Sequence, residues 1–272
     1  MKLILLQITS TDDPVANLAV VQDMIAQAAA NGADMILTPE VTNCLSADRA
    51  HQSEILQLEE NDPTLKALQI QAATLNTNIL IGSLALQTGD ADGRFANRSI
   101  LIARDGSIVA RYDKIHMFDV DVSAEETYRE SSAYRAGTTA VLAKIPEATF
   151  GLTVCYDLRF PQLYRHLAQA GAQIITVPAA FSYVTGPAHW ESLLRARAIE
   201  TGCFIVAPAQ TGDHGCRKTH GHSLVIDPWG TVLADAGTEV GATYVDIDLA
   251  KVDQMRHKVP SLFNETRYIL PA

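Results

Sequence analysis

Three short stretches carry side chains able to do covalent chemistry. GLTVCYDLRFP (151–161) places Cys155 after a short buried strand marked by Phe150, Leu152 and Val154, at a turn into a helix that Pro161 can open. A sharp strand-to-helix turn exposes a thiol and sets it near backbone N–H groups and a helix N-terminus. Both are expected to lower the thiol pKa and to hold a developing oxyanion. TPEVTNC (38–44) puts Glu40 directly after one strand, and RYDKIHMFD (111–119) puts Lys114 after another. A thiolate is a strong nucleophile, a carboxylate within reach can accept its proton, and a nearby lysine favours the anion. Read singly, each residue has a bland alternative: a small buried hydrophobe for Cys155, a strand-end surface group for Glu40, a solvated lysine for Lys114. Arg159 lies four residues after the cysteine. Its guanidinium could clamp a substrate carboxylate in bidentate fashion, or pair with Asp157 or a neighbouring loop.

The elements that must position these groups follow from periodicity and punctuation. Lys2–Ile8 reads as a strand. Asp12-Asp13-Pro14 then starts a helix to about Ala30, with Leu18, Val21, Ile25 and Ala28 on one face, and Asp34–Thr38 is the next strand. This β-α-β beginning marks an α/β layer fold. Val41–Asn61 reads as irregular and as one wall of the site. A helix over about Pro63–Asn76 has apolar positions Leu65, Leu68, Ile70, Ala72 and Leu75. Strands at Ile79–Leu86, Phe95–Ala103 and Ile108–Tyr112, with a hairpin signal at Asp105-Gly106, favour a mixed sheet. Phe118–Gly137 reads as a long acidic loop of the functional or mobile kind.

Beyond Cys155 the pattern continues with a helix over about Gln162–Ala170, a strand at Gln173–Val177 and a loop at Phe181–Ala188. A helix over His189–Thr201 follows, capped by Gly202, then a strand over Cys203–Ala207 with Cys203 in the core. In DHGCRKTHGH (213–222), three histidines and a cysteine invite a zinc reading. Their spacing is not that of the usual structural sites, and a polar loop entering a strand explains them as well. Three further strands, a helix over Leu249–Val259 and a polar, aromatic tail (261–272), expected against a partner subunit, complete the chain. The two strand–helix halves are alike in shape but not in sequence, no linker separates them, and a single domain spanning 1–272 is the economical reading.

Composition narrows the function classes. The net charge of −10 argues against nucleic acid or an anionic membrane as partner. The four cysteines are widely spaced, without a CxxC pair, which points to a reducing cytoplasm. The N-terminal apolar run is short and reads as a first strand, not a signal peptide, and no run is long enough to span a membrane.

A glutamate, a lysine and a cysteine, each at a strand end and in this order, form the pattern of the nitrilase-type carbon–nitrogen hydrolases, which the chain resembles over essentially its whole length. FSYVTGPAHWESLLRARAIETGCFIVAPAQTG and GHSLVIDPWGTVLADAG look closest to the deaminated-glutathione amidase branch, with the omega-amidase branch second. The resemblance implies an α/β fold, a four-layer α-β-β-α sandwich with two mixed sheets, that pairs into dimers and often assembles further. It implies Glu40 as general base, Cys155 as nucleophile through a thioester, and Lys114 with the Tyr156 backbone N–H as oxyanion holders. It singles out Glu130, in RES, as a second glutamate near the reacting amide, with Glu125 and Glu126 as alternatives. Thr185 matches the position whose hydroxyl helps Arg159 hold a carboxylate. The implied substrate is a small 2-oxo acid amide: deaminated glutathione, or 2-oxoglutaramate in the second branch. No cofactor and no metal are implied. Within the same fold, nitriles and carbamoyl-amines compete as substrates. Outside it stand a papain-like thiol hydrolase using His116, His166 or His189, and a catalytically silent binding module. Cys155→Ala is expected to abolish amide turnover while leaving the protein folded; ammonia or amine release at the wild-type rate by that variant would remove the nucleophile assignment.

Overall fold

Strand alternation divides β1 (Lys2–Gln7) between two cores. Leu3 and Leu5 point into the space between two sheets, while Ile4 and Leu6 pack outward against helices. The computed structural model describes residues 1–122, 127–264, 266 and 269. Asp13 caps α1 (Pro14–Ala30) by accepting from Val15 and Ala16 N–H, and Val21, Ile25 and Ala28 form its buried face. β2 (Met35–Leu37) alternates like β1: Met35 and Leu37 face inward, Ile36 outward. A short helix, α2 (Arg49–Ile55), interrupts the stretch that reads as irregular. Its only buried residue is Gln52, so no apolar periodicity announces it; the Asp48 cap, accepting from His51 N–H, is its one sequence signal. α3 (Pro63–Leu75) buries Leu65, Leu68 and Ala72, whereas Ile70 lies on the solvent side. The antiparallel run β3 (Asn78–Gln87), β4 (Phe95–Ile102) and β5 (Ile108–Asp113) follows.

The acidic segment is less irregular than its composition suggests. It holds a hairpin, β6 (Asp119–Asp121) with β7 (Thr127–Arg129), and a 3-10 turn over Glu130–Ser132. Strands of three residues are too short for periodicity to register. Glu125 and Glu126 lie outside the described residues, as does most of the tail beyond Asn264. β8 (Val141–Lys144), which sequence reading passes over, pairs with β9 (Thr149–Leu152). Then come α4 (Pro161–Gln169), β10 (Ile174–Thr176) and α5 (Gly186–Thr201), which begins earlier than expected because Pro187 fits its first turn. β11 (Phe204–Ala207) follows a fully buried Cys203. β12 (Thr211–Asp213) and β13 (Lys218–His220) form a hairpin through the histidine-rich stretch. His214 bonds to the Ser10 carbonyl and Thr219, and His222 to Asp235; among the described residues no cluster of His, Cys, Asp or Glu is arranged to hold a metal. β14 (Leu224–Ile226), β15 (Val232–Asp235), β16 (Gly241–Asp246) and α6 (Ala250–Lys258) close the fold.

Two six-stranded sheets result, ordered β16-β1-β2-β3-β4-β5 and β15-β14-β11-β10-β9-β8. Each has three adjacent parallel strands flanked by antiparallel ones. α1 and α3 cover one sheet, α4 and α5 the other, and the inner faces meet in a common core: a four-layer α-β-β-α sandwich. Chain reversal after parallel strands gathers their C-terminal ends at one edge, where ligands of such sheets bind.

A bulge in β3 fixes the first of these ends. Gly82 N–H donates to Thr38 Oγ1, Ser83 Oγ accepts from Val41 N–H, and Ser83 O accepts from Thr42 N–H. A Cβ at Gly82 would lie 2.0 Å from Thr38 O and 2.5 Å from both Pro39 O and Pro178 Cβ. Gly82→Ala must therefore displace backbone beside Glu40. It should cost about 1–3 kcal/mol or more in urea unfolding, as overpacking does, whereas Gly241→Ala, with nothing within 4 Å, should be near neutral; equal stability of the two variants would contradict this account.

Candidate active site

Cys155 sits where β9 gives way to a 3-10 turn over Cys155–Arg159. Its φ of +47° lies in the left-handed region, which costs a non-glycine residue on the order of 1–2 kcal/mol. The buried Asp157 carboxylate holds the turn in that shape. It accepts from Val154 N–H at 2.8 Å, Tyr112 OH at 2.7 Å and His116 N–H at 3.0 Å, with His116 Nδ1 2.7 Å away. The Cys155 N–H donates to Pro178 O at 2.9 Å. Asp157 is thus fully engaged, and Arg159 does not pair with it.

The other groups converge on the sulfur from the opposite sheet. Glu40 follows β2, and Gln210 Nε2 holds its backbone carbonyl at 3.0 Å. Its carboxylate accepts from Lys114 Nζ at 2.9 Å, Asn97 Nδ2 at 2.9 Å and Ala180 N–H at 2.8 Å. Lys114, only 2% exposed, also donates to Glu130 Oε2 at 2.8 Å and Oε1 at 3.0 Å. It is no solvated surface lysine. Glu130 is held in turn by Phe118 N–H at 2.6 Å and Asn97 Nδ2 at 3.1 Å. Asn97, which sequence reading missed, donates to both carboxylates from the middle of β4. Its one sequence signal is a place in a polar Asn-Arg-Ser step between the apolar ends of that strand.

These contacts set the protonation states. Burial and then the Glu40 carboxylate push the Cys155 thiol well above its ordinary value, and the Lys114 charge opposes them only in part. The expectation that the turn and helix N-terminus lower this thiol is therefore corrected: α4 opens only at Pro161, and desolvation by the closed pocket outweighs it. Burial alone would raise the Glu40 carboxyl, but Lys114, Arg217 and the Ala180 N–H together hold it below its usual value. Burial would likewise lower Lys114, yet Glu130, Glu40 and Cys155 keep it protonated far beyond its ordinary range. The thiol is thus raised, the Glu40 carboxyl lowered and the Lys114 ammonium raised, each by its neighbours in the same site.

A cavity of about 390 Å³ opens above these groups, with Tyr156, Phe181, Tyr128 and Thr185 among its walls. Segment 41–49 supplies another wall, as expected from the sequence. The Thr185 Oγ1 is buried and has no hydrogen-bond partner among the described residues. Arg159 is not a wall residue. Its guanidinium backs Tyr156 at 5.9 Å and Phe181 at 5.5 Å from the ring centres, with His189 Nδ1 3.3 Å away. Arg217, a second residue missed from the sequence, lines the cavity from the β12–β13 hairpin.

The carbon–nitrogen hydrolase family model matches residues 3–257. A deaminated glutathione amidase from Synechocystis sp. is 40% identical over 260 residues, covering 94% of this chain and 95% of that protein. The solved Caenorhabditis elegans NitFhit protein superposes with a TM-score of 0.91 at 33% identity, over 97% of this chain and 64% of the longer NitFhit chain. An amidase of Nesterenkonia sp. AN1, solved with acrylamide added to its active-site cysteine, superposes with a TM-score of 0.78 at 25% identity, over 96% and 98% of the two chains. Family match, shared identity and common architecture agree, and the chain belongs to the carbon–nitrogen hydrolases, enzymes that act on carbon–nitrogen bonds other than peptide bonds.

Proposed function

We propose that the protein hydrolyses the amide of a 2-oxo acid, deaminated glutathione, to 2-oxoglutarate and cysteinylglycine, through a thioester on Cys155. The observation that carries this reading is Lys114 buried between Glu40 and Glu130 beside a neutral thiol. Glu40 takes the Cys155 proton as the sulfur attacks the amide carbon. The oxygen that gains charge meets Lys114 Nζ and the Tyr156 backbone N–H. Glu40 returns the proton to the departing amine, the C–N bond breaks, and the thioester remains. Glu40 then deprotonates water, which attacks the thioester; the C–S bond breaks, the acid is freed, and Glu40 returns the proton to the Cys155 sulfur. Glu130 and Asn97 keep Lys114 and Glu40 in place throughout.

The substrate assignment rests on two supports. Relatives over nearly the whole chain carry the name deaminated glutathione amidase. Thr185 is a wall residue whose buried hydroxyl lacks a partner among the described residues and suits a carboxylate oxygen, with the Arg159 charge beside Tyr156 and Phe181 adding attraction.

Deaminated glutathione and 2-oxoglutaramate compared at equal concentration, with 2-oxoglutarate read out and Cys155→Ala as control, test this. A clear kcat/KM preference for deaminated glutathione is expected; preference for 2-oxoglutaramate would move the enzyme to ammonia release with the same site, and turnover of neither would remove the oxo-acid reading. The pH profile provides a second check. Since Glu40 is held below its usual value and Lys114 and Cys155 above theirs, kcat/KM should stay level through neutrality. It should fall only as pH drops below the ordinary glutamate pKa of about 4.3. An acid limb near neutrality would contradict Glu40 as the resting base. Asn97→Leu removes the hydrogen bond to Glu40, worth about 1.5–3 kcal/mol for a charged acceptor, so the acid limb should move up by about one to two units; an unmoved limb would limit Asn97 to packing.

A further inference from the structure

The cations around the reaction cavity differ in how they are neutralised. Lys114 is held by Glu40 and Glu130, and Arg129 pairs with Asp121 at 2.7 Å. Arg49 donates to the Ser132 carbonyl at 2.7 Å. Arg217 has no carboxylate within ion-pair distance among the described residues. Its guanidinium instead lies 5.7 Å from the centre of the Tyr128 ring. An arginine beside a ring, with its donors left over, suits a planar anion that arrives from outside the protein.

Its position says which part of the substrate that anion belongs to. Arg217 and Tyr128, with Thr127 and Cys216, form the shared wall between the reaction cavity and a second, open cavity of about 360 Å³, whose rim includes Tyr183, Val184 and Lys218. Against the cost of burial, Glu40 and Cys155 hold the Arg217 guanidinium above its ordinary value, and Arg217 in turn helps Lys114 lower Glu40, so the guanidinium stands within electrostatic reach of both. Glu40 is the group that hands a proton to the departing amine, so the substituent on that nitrogen must run past Glu40. Arg159 and Thr185 stand with Tyr156 and Phe181 instead, where the acyl half belongs.

We propose that Arg217, with Lys218 at the rim, is the subsite for an anionic leaving group: the second cavity receives a short amine-bearing carboxylate such as a dipeptide, and Arg217 grips its terminal carboxylate. This rests on the thioester reading above and adds what separates peptide-like amides from primary amides. An ammonia leaving group has nothing to place there, whereas a dipeptide gains a charge-assisted contact. The exposed aromatic Tyr183, 59% accessible, gives the apolar part of the dipeptide a surface.

The test uses Arg217→Gln and Arg217→Lys in the full-length enzyme. The kcat/KM ratio, deaminated glutathione over 2-oxoglutaramate, should fall at least ~10-fold in Arg217→Gln, carried by KM, and recover in part in Arg217→Lys. Taking the ratio cancels any general effect of the lost charge on Glu40. An unchanged ratio would overturn the proposal, whether both activities fall together or neither moves. A binding measurement separates this failure from failure of the substrate assignment. Alanylglycine and its C-terminal amide are titrated calorimetrically into the wild type and Arg217→Gln. The free acid should bind the wild type several-fold more tightly than the amide, and the difference should vanish in the variant. Equal binding of acid and amide to the wild type would sink the subsite even if deaminated glutathione is turned over. A difference that depends on Arg217 would support it even if deaminated glutathione is not.

Discussion

An ammonium cannot sit 2% exposed inside a protein without negative charge around it, and Lys114 has two carboxylates. That requirement organises the site. It brings Glu40 from the end of β2, Glu130 from the segment after β7 and Lys114 from the end of β5 to one point, and it calls for an amide donor, Asn97, to satisfy the remaining lone pairs. It also bears on the protonation of Cys155. One buried and one partly buried carboxylate beside a single ammonium disfavour a further anion, and the thiol stands well above its ordinary pKa, with burial the first cause.

Glu40, Lys114 and Cys155 are legible in the sequence as a candidate trio because each stands within three residues of a strand end, and strands announce themselves through alternation and turn residues. The sandwich is legible for the same reason: Leu3/Leu5 and Ile4/Leu6 already separate two cores. What escapes has a physical cause in each case. α2 buries a glutamine and no apolar stripe; β6, β7 and β8 are too short or too mixed to show a period. Asn97 looks like a strand residue because it is one, and its role depends on where Glu40 and Glu130 arrive from distant parts of the chain. Arg217 sits among histidines that draw the eye to metal chemistry. The direction of the Cys155 shift is not a local property at all, since it depends on burial by the second sheet.

The two sheets share one pairing pattern, with three parallel strands in the middle of each. The sequence halves show no matching repeat, so the likeness is held by backbone geometry and by which face each strand buries. The common edge uses each half differently. One half supplies Glu40, Lys114 and Glu130, the other supplies the Cys155 thiol, the Ala180 N–H and Arg217, and both supply aromatic walls.

The Tyr112–Asp157 hydrogen bond has a mechanical meaning. Tyr112 lies two residues before Lys114 in one sheet, and Asp157 two residues after Cys155 in the other. A bond between them is a strut across the sandwich whose ends stand beside the Lys114 ammonium and the Cys155 thiol. If the sheets slide or breathe against each other, the strut makes thiol and ammonium travel as a pair. The gap between them is thereby insulated from motions of the wider fold.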